Sequence, residues 1–300
     1  MSDAKINSVT KSTEEIISER VKMSEKMLSH LSELAEVLCD EADDDEIFFR
    51  DEAFIKRFRQ LTDTPIPTSF APFNENEIKA EERLISTAEK AFLCLLLSEI
   101  LGIKSIDGAE TFFDGSQKTE NETVSCVKNH ATDTAYLSFA SKMTDPRVSY
   151  ADDFTEVVKS VYYGKTAYCI LPIADSHNGR LVGISNLALK YGLKTALCHK
   201  VKSDDDSYTV YALLSKDVQI PNGDSETYFE FSVKNEDGPS EILNAAECCG
   251  MKTVSVSFTP ESNGESRIIL KVSEDGFCGF LTYLSLNYPD YTPIGIFEEI

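Results

Sequence analysis

Hydrophobic positions in the first hundred residues recur with helical spacing. Between residues 12 and 40 the apolar side chains follow steps of three, four and seven, which predicts one long helix. A shorter helix is predicted over residues 47–61, and a third over residues 76–102. Proline residues between the second and third helices predict a loop. Residues 1–104 are therefore expected to form a helical region.

The pattern changes after residue 122, where short apolar runs alternate with amphipathic segments. These runs predict strands over residues 123–128, 148–150, 166–172, 194–201 and 208–215, separated by helices over residues 131–142, 154–163 and 181–191. Residues 104–122 are polar and predict a linker or an irregular strand. Strands that alternate with helices predict an α/β lobe, a sheet covered by helices, over residues 105–221.

The last part of the chain shows a different order. Its pattern predicts strand, helix, strand, strand, helix and strand, in six segments over residues 228–233, 239–249, 253–258, 266–272, 277–288 and 291–298. This is the order of the split βαβ, or ferredoxin-like, fold. The predicted fold class is thus α/β combined with α+β, with the ferredoxin-like domain over residues 222–300.

The charge balance excludes two classes of partner. Lys and Arg total 29 against 51 Asp and Glu, which gives a net charge of −22. Such a chain repels phosphate backbones and anionic lipid, so we expect no nucleic-acid partner and no membrane partner. The N-terminus has no apolar run behind a basic start, and the apolar run over residues 91–97 is too short to span a bilayer.

The eight cysteines predict neither a metal site nor a disulfide framework. None of them forms a CxxC pair, and only four His residues are present as co-ligands. Most of the cysteines lie within apolar runs, where they behave as small buried hydrophobic residues. We therefore expect no metal, no cofactor and a cytoplasmic location, since reduced thiols persist in the cytosol.

Motifs at the C-terminus carry a first resemblance. Residues 231–239 read FSVKNEDGP and residues 242–246 read ILNAA. They resemble the first strand, turn and helix of the ACT domains that follow prephenate dehydratases. The resemblance implies a homodimer and an amino acid or other small ligand bound near Asp237, Gly238, Pro239, Ser257 and Pro260. The arginine of the family's ligand-binding Glu-Ser-Arg-Pro motif is absent here.

The middle of the chain resembles prephenate dehydratase itself, whose lobes are of the periplasmic-binding-protein type. Residues 154–173 resemble a helix–strand unit of that family, and residues 172–176 read PIADS where the family has Pro-Ile-Glu-Asn-Ser. Residues 209–211 stand at the family's Thr-Arg-Phe, and residues 130–134 at its Gly-Thr-x-Ser substrate loop. The resemblance implies a catalytic hydroxyl on Thr209 and a substrate-like site that comprises Thr132, Thr134, Asp175 and Ser176.

Two departures from the family predict loss of catalysis. Only about 15 residues separate the PIADS motif from the following Tyr-Gly-Leu helix end, where the family has a second lobe. Val210 replaces the arginine that grips a carboxylate of the dianionic substrate, and such charge-assisted contacts are the strong ones. We expect a non-catalytic regulatory relative. The alternatives are an active prephenate dehydratase and a structural partner of a separate enzyme.

The N-terminal helices carry a third resemblance. Residues 16–20 (IISER) and 49–52 (FRDE) resemble the first two helices of chorismate mutase. The order of helices, dehydratase domain and ACT domain is that of bifunctional chorismate mutase–prephenate dehydratases. The resemblance implies a dianion clamp drawn from the five arginines Arg20, Arg50, Arg57, Arg59 and Arg83.

Overall fold

The computed structural model describes residues 25–41, 48–67, 82–103, 106–113, 122–203, 206–221, 226–234, 238–258 and 265–300. The chain divides into two compact units. Unit 1 comprises residues 1–112 and 232–292, and unit 2 comprises residues 113–231 and 293–300. The expected division into segments 1–104, 105–221 and 222–300 remains a prediction.

The described residues form eight α-helices and twelve strands. The helices are α1 Glu25–Glu41, α2 Glu52–Thr62, α3 Thr87–Ile100, α4 His130–Ala140, α5 Phe154–Tyr162, α6 Val182–Lys190, α7 Ser240–Cys248 and α8 Phe277–Asn287. The strands are β1 Ile66–Pro67, β2 Glu82–Arg83, β3 Thr123–Val127, β4 Arg147–Ala151, β5 Tyr168–Asp175, β6 Gly179–Arg180, β7 Lys194–Lys202, β8 Tyr208–Ser215, β9 Thr227–Lys234, β10 Lys252–Phe258, β11 Glu265–Lys271 and β12 Thr292–Glu299. Among the described residues, no helix has the length and apolar character needed to cross a membrane.

The third predicted helix begins later than its apolar pattern indicates. Residues 82–83 form β2, and α3 begins only after Ser86. Ser86 and Glu89 form a capping box, in which each side chain bonds the main-chain N–H of the other residue. The prediction of a helix from residue 76 is therefore wrong at residues 82–86, and residues 76–81 lie outside the described ranges. The first predicted helix is described only from residue 25.

The polar segment before β3 is only partly a linker. Residues 107–112 form a short 3-10 helix whose Phe112 ring stacks on Phe49 with 4.1 Å between centroids. Phe112 and Ala109 are buried. The prediction of a linker or irregular strand is wrong for this stretch, because its few apolar residues pack into a core.

In unit 1, α3 packs against α8. Its residues 91–97 are all buried, as expected for a helix that is apolar on every side. The two helices approach closely at Gly279, where an added Cβ would lie 2.3 Å from Leu95 Cδ2. The chain's own N-terminal region therefore covers α8.

The C-terminal segment has the predicted order of elements, β9, α7, β10, β11, α8 and β12. The strand order is β10-β11-β9-β12, with the first and third strands in the middle, which is the ferredoxin-like arrangement. Strands β10 and β11 are antiparallel. The predicted α+β class of this segment is confirmed.

Unit 2 contains a mixed sheet in the order β7-β8-β5-β3-β4, with β12 parallel to β7 and β6 paired to β5. Strands β3, β4 and β5 are parallel, and β8 is antiparallel to both of its neighbours. Residues 122–151 extend this sheet as β3, α4 and β4, so they do not build a facing lobe. The predicted α/β class is confirmed.

Helices cover both faces of the unit 2 sheet. Helix α4 packs on one face, where Phe139 joins Val124, Ile170 and Leu213 in a buried core. Helices α5 and α6 pack on the other face, against β3 and β5. Near the end of β5, the two faces of the sheet carry different side chains. The chemistry of the site depends on which face each side chain occupies.

Candidate functional site

Thr209 lies beside Asp175 near the end of β5. The two residues are directly opposite each other on β8 and β5, and Thr209 is also opposite Val201 on β7. Directly opposite residues share a face of the sheet. Val201 belongs to the buried core with Phe139 of α4, so all three residues lie on the face that α4 covers. We call this side of β5, β8 and β7 the hydroxyl face.

A buried hydroxyl lies on the same face. The Thr132 side chain is 1% exposed, and its Oγ1 makes no hydrogen bond of standard geometry within the described structure. It lies near Tyr211, whose phenol pKa is raised by burial and lowered to a smaller extent by the Thr132 hydroxyl. Tyr211 is two positions from Thr209 on β8. The structure thus brings two of the predicted site residues, Thr132 and Thr209, to one face.

Thr134 is engaged with the main chain. Residues 130–134 form the first turn of α4 and not a substrate loop, because the Asn129 side chain caps the helix by accepting from Thr132 N at 2.9 Å. The Thr134 hydroxyl donates to His130 O at 2.9 Å. Its predicted role in a substrate-like site would require that bond to open.

Asp175 and Ser176 shape a turn. Asp175 Oδ1 accepts from the main-chain N–H groups of His177 and Asn178 at 2.8 and 2.6 Å. These bonds, and above all the Asn178 side-chain amide, hold the pKa of the Asp175 carboxyl below its ordinary value. Ser176 Oγ accepts from Tyr208 N at 3.2 Å. Asp175 therefore stays ionised and places a negative charge beside Thr209.

The opposite face of β8 and β7 carries Arg180 and Lys200, whereas Lys128, whose ammonium lies 5.3 Å from the Tyr150 ring centroid, follows β3 on the α4 side. Val210 follows Thr209 along β8, so its side chain emerges on the other side of the sheet. It is directly opposite Ala174 and Lys200, and Ala174 is directly opposite Arg180. We call this side the cation face, defined by Arg180, Val210 and Lys200.

Both cations of this face have partners there. Arg180 forms an ion pair with Glu230, with Nη1 and Oε1 at 2.9 Å, and its Nε donates to Ser185 Oγ at 3.2 Å. Glu230 is buried, so the guanidinium neutralises a charge inside unit 2. The Lys200 ammonium lies 3.6 Å from the Tyr208 ring centroid and is exposed. Neither side chain shares a face with the Thr209 hydroxyl.

Around Thr209 itself, the hydroxyl face offers the hydroxyls of Thr209, Thr132 and Tyr211 and the Asp175 carboxylate. A dianion bound at Thr209 would be repelled by the Asp175 carboxylate. It would gain no charge-assisted hydrogen bond from Lys200 or Arg180, which lie on the other face. Among the described residues, no three His, Cys, Asp or Glu side chains are grouped as a metal site requires. The arrangement suits a neutral or weakly polar ligand better than a doubly charged one.

The sequence did not predict a role for His199, which lies on the hydroxyl face. His199 is opposite Tyr211, and its ring contacts Ser138 and Ile300. Ser138 and His199 are 61 residues apart, and no local pattern marks either residue. Only the packing of α4 on β7 brings them together.

The predicted ligand positions of the C-terminal segment lie in two elements. Gly238 has a φ of +85°, a conformation that favours glycine, and Pro239 immediately precedes α7. Ser257 is exposed on β10. Asp237 and Pro260 lie outside the described residues. Their common ligand site remains a prediction.

Two of the predicted mutase arginines contact the main chain. Arg50 Nη2 donates to Phe112 O at 3.1 Å, and Arg59 Nε donates to Leu286 O at 3.2 Å. Arg57 lies within reach of Gln60, with Nη1 and Oε1 at 3.5 Å. Arg20 lies outside the described residues, as does the Arg83 side chain.

Comparisons with known proteins found structural likeness without sequence likeness. No protein-family model and no curated protein matches the chain. Three similar solved structures each match 59% of this chain. Prephenate dehydratase from Streptococcus mutans is 12% identical, with 98% of that chain covered and a TM-score of 0.45. Prephenate dehydratase from Arthrobacter aurescens, in complex with L-Phe, is 11% identical, with 89% covered and a TM-score of 0.47. GqqA, described as a novel type of quorum quenching acylase, is 14% identical, with 95% covered and a TM-score of 0.44.

Proposed function

We propose that this protein is a non-catalytic relative of prephenate dehydratase with a regulatory role. The observation that supports the proposal is the separation of Thr209 from Lys200 and Arg180 by the sheet itself. A hydrogen bond to a charged group contributes about 1.5–3 kcal/mol, and removal of one electrostatic donor costs roughly 100- to 1,000-fold in rate. A doubly charged substrate at Thr209 lacks that contact and faces Asp175.

The competing function is an active prephenate dehydratase, alone or joined to a chorismate mutase. That function requires a cation within reach of the Thr209 hydroxyl. It predicts that purified protein converts prephenate to phenylpyruvate and that Thr209→Ala abolishes the conversion. The regulatory proposal predicts no conversion in either protein.

The regulatory role is assigned to the C-terminal segment as an ACT-type module that binds an amino acid. Its strand order and the left-handed turn at Gly238 support this assignment. A thermal-shift screen of amino acids should find at least one that raises the melting temperature. A ligand at 100 times its Kd stabilises the folded state by about 2.7 kcal/mol. If no amino acid shifts the melting temperature, a purely structural partner role is favoured instead.

Two glycine variants localise that ligand. Gly238 and Gly164 both have positive φ, +85° and +69°, and an added Cβ meets nothing within 4 Å at either position. Gly238→Ala and Gly164→Ala should therefore destabilise the protein to similar extents. Only Gly238→Ala should also reduce the ligand-induced shift. If the ligand raises the melting temperature equally in both variants, the ligand does not bind at the turn that contains Gly238.

We further propose that the protein forms a homodimer through β10. This strand lies at one end of the described strand order, and its Val254 and Phe258 side chains are 54% and 64% exposed. An unpaired apolar edge is a template for pairing with another strand. Helix α8, the other surface through which such modules pair, is covered by α3. The edge of β10 is therefore the surface that remains.

Light scattering coupled to size-exclusion chromatography tests this interface. Val254→Asp should convert the dimer to a monomer, because a charged side chain on an edge strand opposes its pairing with a second strand. Val182→Asp is the matched control, since Val182 is 61% exposed on α6 in unit 2. A parent protein that is monomeric, or a dimer that survives Val254→Asp, would contradict the proposal.

A further inference from the structure

A polar cluster lies beneath the C-terminal half of α4 in unit 2. Ser138 Oγ lies 3.0 Å from His199 Nε2, and His199 Nδ1 contacts the Ile300 O atom. Ile300 is held in place because its N–H donates to Cys198 O at 2.9 Å. Three residues that are distant in the sequence thus form one line of hydrogen bonds across α4, β7 and the end of β12.

The oxygen of Ile300 determines which nitrogen of the neutral His199 ring carries the proton. This oxygen only accepts hydrogen bonds, whether it belongs to a main-chain carbonyl or to a terminal carboxylate. Nδ1 must therefore carry the proton that it donates to Ile300, and in the neutral ring Nε2 is left with a lone pair. Ser138 then donates its hydroxyl proton to Nε2. A serine, a histidine that accepts its proton and a group that orients the histidine constitute an activated nucleophile.

The surroundings allow a reaction at this serine. Ser138 and His199 are both half-buried, so solvent and small molecules can reach them. Lys142 follows the end of α4, and its ammonium lies 3.7 Å from Glu298 Oε2. Ser138 also lies within 3.4 Å of Thr134 O, a longer contact than the one to His199.

We propose that Ser138 and His199 form a nucleophile–base pair that takes the acyl group of a small carboxylic ester. Ser138 Oγ bonds to the carbonyl carbon as its proton passes to His199 Nε2, and negative charge develops on the carbonyl oxygen. The ester C–O bond then breaks, and the leaving alcohol takes the proton from Nε2. Water next gives a proton to Nε2 and bonds to the acyl carbon, and the acyl–Oγ bond breaks as Nε2 returns that proton to Ser138 Oγ, which releases the acid.

This activity is separate from the regulatory proposal, in which non-catalytic means that the protein does not dehydrate prephenate at Thr209. Thr132 lies six positions before Ser138 on α4, on the order of 9 Å along the helix axis. The esterase-type site uses none of Thr209, Asp175 or the C-terminal ligand positions. Failure of one proposal therefore leaves the other unaffected.

A fluorophosphonate ester tests the pair in the full-length protein. The reagent phosphonylates activated serines, and mass spectrometry of a digest locates the modified residue. Ser141 is the internal reference, because it lies on the same helix end, is exposed and donates to Ser138 O at 2.6 Å instead of contacting a histidine. We expect Ser138 to be labelled at least 100-fold faster than Ser141, the contribution typical of a positioned base.

Two variants test whether His199 is the base that activates Ser138. His199→Gln should slow labelling of Ser138 about 100-fold, whereas Ser141→Ala should leave it unchanged. Circular dichroism establishes that His199→Gln is folded, and if it is not, the comparison of Ser138 with Ser141 in the parent protein decides alone. Equal labelling of the two serines, or an unchanged rate in folded His199→Gln, would overturn the proposal.

Discussion

The two faces of the unit 2 sheet carry opposite chemistry at the same strand ends. The hydroxyl face has Thr209 beside an ionised Asp175, while the cation face has Lys200 and Arg180 on either side of Val210. The residues are close in the sequence, yet the sheet separates them. Functional groups that adjoin in a motif do not form one site when their strand is paired on both edges.

This comparison explains why motif resemblance transfers fold more readily than chemistry. In this chain residues 209–211 lie within β8, between β5 and β7. Successive side chains of a paired strand point to opposite faces. Even an arginine at position 210 would join Lys200 on the cation face. The valine at position 210 and the pairing of β8 on both edges are therefore two separate features of this strand.

The largest effect is expected on the cation face. Arg180→Met should lower the free energy of unfolding by about 3 kcal/mol, since it leaves the buried Glu230 carboxylate without its guanidinium partner. Lys200→Met is the matched change at an exposed position, and it should cost less than about 1 kcal/mol, the contribution of a cation–π contact. Urea denaturation monitored by circular dichroism measures both.

The outcome decides which cation is free for a ligand. If Arg180→Met and Lys200→Met destabilise the protein equally, Arg180 is not committed to the interior. The guanidinium would then be available to a bound anion, and the contrast between the two faces would weaken.

A smaller effect of opposite sign is expected on the hydroxyl face. Thr132→Val removes a buried hydroxyl that makes no hydrogen bond of standard geometry, so it should stabilise the protein by about 1 kcal/mol. Thr134→Val removes a hydroxyl that is bonded to His130 O, so it should cost about 0.5 kcal/mol. Thermal unfolding measures both. Destabilisation by Thr132→Val would mean that the hydroxyl binds a ligand or water and that this face is a built site.

The smallest effect concerns the charge of Asp175. Its pKa is lower in the folded protein than in the unfolded chain, so the ionised carboxylate contributes stability above about pH 5. That contribution is lost as the pH falls through the lowered folded pKa. The stability difference between the parent and Asp175→Asn should therefore be constant near neutral pH and shrink below about pH 4. A difference that grows on acidification would show that folding raises the pKa of the Asp175 carboxyl instead of lowering it.

Much of the fold follows from hydrophobic pattern alone. Residues 208–215 were predicted as a strand with the bounds that the structure shows, because their apolar run is bordered by polar residues. The start of α3 was predicted too early, although the local sequence contains a signal for the correct position. Ser86 and Glu89 are spaced as a capping box, and this marks the helix start better than the apolar positions upstream.

The site could be predicted only in part. The resemblance predicts a site at Thr132 and Thr209, and the structure places both residues on one face, but that they bind a ligand stays a prediction. It could not reveal which cations share that face, because strand register and the bulges within β5 and β7 set the alternation. The pairing of Ser138 with His199 depends on tertiary packing and leaves no trace in the local sequence.

The central claim is that the sheet separates the Thr209 hydroxyl from Lys200 and Arg180. Incubation of the protein with prephenate tests this claim most directly. We expect no phenylpyruvate from the parent protein or from Val210→Arg, under conditions in which an active prephenate dehydratase converts the substrate fully. Turnover by the parent that disappears in Thr209→Ala would contradict the non-catalytic proposal. Turnover gained by Val210→Arg would show that a guanidinium at that position reaches the hydroxyl face after all.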